Sequence, residues 1–290
     1  MRRTRAPVDV LGVEPRIFVQ AQKIIVARAE RRAPSAALLA SRRLGAVPLA
    51  PFVTLHDSLL ATFRKRLGLS GEVAAGLAAE IERQAVDLAG LAPEDYARTL
   101  GLSRPDAAAR AAALRAATDQ MWRESRIDRA FEVPYVAGYD KDAGAYVFID
   151  CAAPMQAQRG GATIPVGPLL VIHERVEKAV LLDDRSVYPS AHQIALRIEK
   201  AAAQAMGVDW KAYDNVITEL SDAISARKAP RNISDRLDLQ PYYTFLDADN
   251  RKLVAGMEKA LTAHAPAARP AAGPELDPAP VCGTDGTPTK

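Results

Sequence analysis

The chain has 290 residues, 49% hydrophobic and 25% charged, with a formal net charge of +3. This balance supports a proper buried core in one extended domain or two, and no apolar run approaches the ~18 residues of a membrane helix. With no signal-like apolar segment at its start, and with Cys151 and Cys282 too few for a disulfide framework, the chain is expected in the cytoplasm.

The charge is uneven. Residues 1 to 44 carry ten Lys and Arg against Asp9, Glu14 and Glu30, a net +7 that leaves −4 for the rest. Such an arm, with an amphipathic stretch from Ile17 to Val26, is either a solvated basic face or a weak contact for nucleic acid or an anionic surface.

Residues 51 to 123 read as helices. Ser70-Gly71-Glu72 opens a pattern through Leu77, Ile81, Ala85 and Leu88, and Ala92-Pro93-Glu94-Asp95 starts another with acidic residues in its first turn. A third spans roughly Pro105 to Arg123, and its alanines allow close helix packing. No Gly-rich phosphate loop, dinucleotide fingerprint or zinc-finger spacing occurs here.

Phe131 to Tyr139 and Ala145 to Asp150 are β-rich runs joined by Asp140-Lys141-Asp142-Ala143-Gly144, a hairpin pattern. Gly161 to Val166 is expected as a third, edge-like strand, because Pro165 is tolerated only where no ladder hydrogen bond is needed. An edge beside a metal helix suits an extended peptide.

Leu169 to Met206 carries the chemistry. Gly167-Pro168 opens one helix; Tyr188-Pro189-Ser190 opens a second that Gly207 ends, and a short turn around Asp183-Asp184-Arg185-Ser186 predicts an antiparallel pair. At ~100° per residue, His173 and Glu177 fall in the apolar stripe with Leu170 and Val180, with Arg175 and Lys178 on the solvent side. On the second helix His192 and Glu199 lie between Met206 and Leu196, away from a polar side of Gln193, Arg197 and Lys200. Glu174 borders the first stripe. Burying even one unpaired carboxylate costs several kcal/mol, so these groups need a shared partner, and a divalent metal is the economical one. The bland alternative is a buried polar network.

In H-E-x-x-H metallohydrolases two ligands one turn apart hold zinc, the intervening glutamate activates a water, and a later helix adds the third ligand. Here Glu177 stands in place of the second histidine and His192 restores the inventory from downstream. The candidate metal ligands are therefore His173, Glu177, His192 and Glu199. Glu199 is a fourth ligand, a partner that orients His192, or the carboxylate ligand in place of Glu177.

The order of a strand hairpin ending in Ile149-Asp150, a loop, the metal-motif helix and a second helix resembles the minimal zincin metallopeptidases, including the ImmA/IrrE-like group, over residues 124 to 215. The segment is also similar to uncharacterised bacterial and phage-associated proteins in which a P-Y-V-A-G-Y strand precedes H-E-x-x-E. The zincin resemblance implies metal ligation by His173, general-base duty for Glu174, Zn2+ as the metal and a peptide or protein as substrate.

Asp209-Trp210 starts a further helix continuing to about Arg227, followed by a break at Pro230-Arg231-Asn232, an aromatic segment from Leu239 to Leu246 and a last helix from about Ala248 to Thr262. Residues from His264 onward, rich in Pro, Ala and Gly, read as a disordered tail. The expected protein is α+β and mostly helical: a basic arm (1–50), a helical region (51–123), a zincin-like metal core (124–225), a helical extension (226–263) and a tail (264–290). The expected function is a zinc-dependent hydrolase of peptide bonds. The alternative is a noncatalytic bacterial or phage-associated binding protein, in which a structural metal or His/Glu network fixes the helix pair and the basic arm engages nucleic acid.

Overall fold

A computed structural model describes residues 42–45, 47–142, 146–183, 188–227 and 230–239, with the side chains of 46, 48 and 188–190 outside that description. The described residues form an α+β protein of seven helices and seven short strands. They fall into two compact units: residues up to Arg123 with Val171–Lys211, and Glu124–Leu170 with residues from Ala212 onward. Residues 171–211 thus group with the helical region 51–123, and the segment expected as one core over 124–225 is divided between the units. No described helix is long and apolar enough to cross a membrane.

In the first unit, a two-stranded antiparallel ladder of β1 (Arg43–Leu44) and β2 (Val47–Pro48) leads into α1 (Ala50–Leu67), α2 (Gly71–Leu88), α3 (Pro93–Leu100) and α4 (Ala107–Glu124). The local signals are the ordinary ones. The Ser70 hydroxyl accepts a hydrogen bond from the Val73 amide at 3.3 Å, capping α2, and Pro93 occupies the first turn of α3. Leu77, Ile81 and Ala85 of α2 are buried, as their spacing predicts, with Leu49, Phe52, Phe63 and Met121 around them. Phe52 meets Tyr96 edge-on, ring centroids 5.7 Å apart. Gly76 allows a close approach of α4, because a Cβ there would stand 2.2 Å from Ala113 Cβ.

The same unit contains most of α5 (Val166–Leu182) and all of α6 (Tyr188–Ala205). After α6, Gly207 adopts a left-handed φ of 77°, and the Val208 amide returns to the Ala203 carbonyl at 2.9 Å, the closing turn its position suggested. The polar sides expected of these helices are mostly not solvated. Lys178 is only 8% exposed, Gln193 7% and Arg197 2%. For Arg197 the reason lies on α2, which carries its own polar groups: Arg197 donates to Gln84 Oε1 at 2.9 Å, and Gln84 in turn donates to Glu80 at 3.0 Å. A helical wheel reports which residues share a face and is silent about what the face meets.

In the second unit, β3 (Arg126–Asp128), β4 (Ala137–Tyr139) and β5 (Tyr146–Ile149) form a sheet ordered β3-β5-β4, with β5 antiparallel to β4 and parallel to β3. Its core is Val133, Phe148, Ile233, Leu237 and Leu239. The hairpin exists, but Phe131 to Val136 is not its strand. Tyr135 (φ 59°) and Val136 (φ 84°) are left-handed, a backbone that cannot continue an extended strand. Asp150, fully buried, shapes that turn: its carboxylate accepts the Val133 amide at 2.9 Å, its own amide donates to the Val136 carbonyl at 2.8 Å, and Arg227 pairs with it at 3.0 Å. The expected third strand is also placed differently. Ala162–Ile164 (β7) pairs with Ala157–Arg159 (β6) as a separate two-stranded ladder and not with the main sheet. The last element is α7 (Trp210–Ser225), which begins at the unit boundary.

The basic arm before Arg42, the turn residues Asp184 to Ser186, the aromatic segment after Leu239, the last helix and the tail lie outside the described residues.

Candidate metal centre

The centre lies wholly within the first unit, between α5 and α6. Val171, Ile172, Val176, Ala179 and Val180 on one helix and Ala191, Ile194, Ala195, Ile198 and Ala202 on the other are buried. This apolar packing fixes the two backbones and turns the interspersed polar side chains toward each other. Because the helices are antiparallel, the pairs cross. His173 faces Glu199 and Glu177 faces His192.

Three donor atoms converge. His173 Nε2 is 3.2 Å from His192 Nδ1, His192 Nδ1 is 2.8 Å from Glu177 Oε2, and His173 Nε2 is 3.5 Å from the same oxygen. Zinc with donors at ~2.0–2.1 Å spaces them by about 3.3–3.4 Å along a tetrahedron's edges, so the trio fits an ion after sub-ångström adjustment. The histidine rings meet at 63° with centroids 4.9 Å apart, so their planes do not stack. Access is through His192, whose side chain is 37% exposed against 9% for His173 and 4% for Glu177.

Of the five residues singled out from sequence, the structure brings His173, Glu177 and His192 together as a possible ligand set. Glu199 is in contact with the cluster at a different atom: its Oε2 is 2.7 Å from His173 Nδ1, the ring nitrogen turned away from the other two donors. Glu174 is 8% exposed, and no hydrogen bond or ion pair joins it to any described residue.

The electrostatics separate the carboxyls. Burial pushes Glu174 up to about 8, opposed by His173 and reinforced by the charges of Glu177 and Glu199. Burial acts on Glu177 in the same sense, but its contacts with His173 and His192 outweigh it and hold the group down at about 2. For His173 burial favours the neutral ring, yet Glu199 and Glu177 together raise it well above the ordinary histidine value. Burial acts alike on these two glutamates three residues apart, and only Glu177 has the histidine contacts that reverse it.

A second buried charged cluster in this unit escaped the sequence reading. Glu82 of α2, 2% exposed, receives Tyr96 Oη at 2.6 Å and Arg104 at 2.7 and 3.0 Å, with His56 Nδ1 3.2 Å away. Glu80 is bound by Arg83, Gln84 and Arg110. The signal was available: Glu82 lies four residues after Ala78 and three before Ala85, both buried, and His56 sits in the same way between Phe52 and Leu59. The Glu82 and Glu80 carboxylates of this cluster are held by their own partners.

Comparisons with protein-family models, with curated proteins and with solved structures give no match for this chain.

Proposed function

We propose that the chain is a metal-dependent hydrolase, zinc being the metal that suits the donors and a peptide bond the bond cleaved. The observation that carries this reading is the convergence of His173 Nε2, His192 Nδ1 and Glu177 Oε2 within 3.5 Å of one another on two packed helices. Two imidazoles and one carboxylate make a three-ligand set that leaves a fourth position open, the arrangement of catalytic zinc sites, whereas structural sites close all four. When bound there, zinc supplies Lewis acidity to a carbonyl and acidifies a water.

The chain's own residues divide the remaining work. Glu174, next to His173 and without a competing hydrogen bond among the described residues, takes up the proton released in the attack and returns it to the leaving amine. Glu177 stays ionised and holds charge at the centre. The 37% exposure of His192 leaves a side from which substrate reaches the donors.

The second reading is a noncatalytic binding protein in which the same residues form a closed polar network. It is favoured by the 2.7 Å His173–Glu199 and 2.8 Å His192–Glu177 contacts, which are already good charge-assisted hydrogen bonds without an ion. Metal content by inductively coupled plasma mass spectrometry, for wild type beside His173→Ala and His192→Ala, decides between them, followed by turnover of a peptide library by wild type and Glu174→Gln. One zinc per chain, lost in both histidine variants, with turnover lost and zinc kept in Glu174→Gln, supports the hydrolase. No zinc after incubation and desalting sinks it.

A further inference from the structure

We infer that Glu199 is a positioning residue that acts through His173 and is not itself a metal ligand. The inference rests on the metal reading above and adds to it the role of the fourth acidic group in the cluster.

Imidazole presents its two nitrogens on diverging directions, so a carboxylate bound at Nδ1 does not share an ion held at Nε2. Glu199 Oε2 is 2.7 Å from His173 Nδ1, while Nε2 of the same ring is the atom that approaches His192 and Glu177. Glu199 therefore accepts a hydrogen bond from Nδ1–H, so that a neutral His173 ring has its lone pair on Nε2, aimed at the centre. At 4% exposure the carboxylate has little water to turn toward, so the bond is held in place by the packing of α6. The spacing explains why this residue serves here. Glu199 is seven positions after His192, two turns along the same face, and α5 runs antiparallel, so the residue that meets Glu199 is His173 and the one that meets His192 is Glu177. An acceptor on the outer nitrogen of a ligating histidine fixes its tautomer and ring orientation and raises its basicity.

The test uses the full chain with zinc as the probe, comparing wild type, Glu199→Gln and Glu199→Leu. Affinity is read by competition with a chromophoric chelator. Coordination is read from the visible spectrum after cobalt substitution, and the His173 tautomer from long-range proton–nitrogen NMR of the zinc-loaded protein. Expected is a zinc affinity weaker by about 10- to 100-fold in Glu199→Leu, with partial recovery in Glu199→Gln, which keeps an acceptor. The cobalt spectrum keeps its shape in both variants, and the fixed Nδ1–H signal of His173 present in wild type is lost in Glu199→Leu. If Glu199→Leu does not fold, Glu199→Gln decides alone, since a ligand's loss changes the cobalt spectrum and a positioning residue's does not. A changed cobalt spectrum overturns the inference by making Glu199 a ligand, and unchanged affinity with an unchanged His173 signal overturns it by making Glu199 a bystander. Both results leave the metal reading standing. Failure of the wild type to bind zinc overturns the metal reading and this inference with it.

Discussion

Gly76 and Ala113 hold α2 and α4 closer together than any pair of side chains would allow. A Cβ at Gly76 would lie 2.2 Å from Ala113 Cβ, well inside van der Waals contact, with Ala113 7% exposed and unable to swing away. Alanine at 76 would gain about 1 kcal/mol of helix propensity. Overpacking costs about 1–3 kcal/mol, more for a backbone-borne methyl. Gly76→Ala is therefore expected to be destabilised in urea unfolding, and adding Ala113→Gly is expected to restore most of the loss. An unchanged midpoint in the single variant would show that the helices separate freely.

Burial and the charges of Glu177 and Glu199 disfavour the ionised form of Glu174, which makes this carboxyl a cost to the fold. Its folded-state proton affinity lies above the ordinary carboxyl value, so the folded state binds the proton more tightly than the unfolded one. The stability of the metal-free protein then falls as pH rises from about 4.5 toward about 8. Glu174→Gln keeps nearly the same shape and removes the cost of protonating or burying the carboxylate, and is expected to raise stability at pH 7 by roughly 1–3 kcal/mol. Equal denaturation midpoints for the two metal-free proteins at pH 7 would count against a raised proton affinity at Glu174.

The Glu82 cluster predicts the opposite slope. Burial raises its proton affinity, but His56, Arg104 and their charges outweigh this and the net shift is downward; Glu80 shifts the same way against burial through Arg83, Gln84 and Arg110. Groups lowered in the folded state stabilise it fully above their unfolded value of about 4.5, and that stability is lost as pH falls through the lower folded value. Thermal unfolding of wild type should weaken on acidification below about 4.5, and Glu82→Gln should be less stable at pH 7 yet flatter over the same acid range. Removing Arg104 instead leaves a buried carboxylate without its main partner, a loss of about 3–5 kcal/mol before the partly exposed guanidinium is discounted. If Glu82→Gln and wild type lose stability in parallel on acidification, the acid sensitivity originates elsewhere.

These cases mark what was legible in the sequence. Helix existence was, because periodicity, Ser70, Pro93 and Gly207 act locally. So was the pairing of His173 and Glu177 with α6, since polar groups on an apolar stripe have few other places to go. Which nitrogen of His173 each carboxylate meets was not. A spacing of seven residues puts Glu199 on the face of His192, and only the antiparallel register brings it to Nδ1 of His173. Lys178 and Arg197 were placed on polar sides yet are buried, because a wheel cannot see what a face meets, Gln84 of α2 in the case of Arg197, and Glu82 was passed over because its partners His56, Tyr96 and Arg104 are distant in sequence.

The run from Phe131 to Tyr139 misled for a different reason, and it yields the last prediction. Valine and tyrosine favour strands, yet Tyr135 and Val136 adopt φ of 59° and 84°, a conformation imposed by the hydrogen bonds around Asp150. A β-branched residue there is strained by about 1–3 kcal/mol, and the strain is tolerated because Val136 is fully buried and its packing offsets it. Two truncations separate these terms. Val136→Ala loses the packing and keeps most of the strain; Val136→Gly loses slightly more packing and relieves the strain. Glycine is therefore expected to be the more stable of the two by about 1 kcal/mol in chemical denaturation, the reverse of the order at an ordinary buried position such as Val133. Alanine more stable than glycine at 136 would mean that the backbone there is extended in solution, and that the hairpin strand continues through Tyr135 after all.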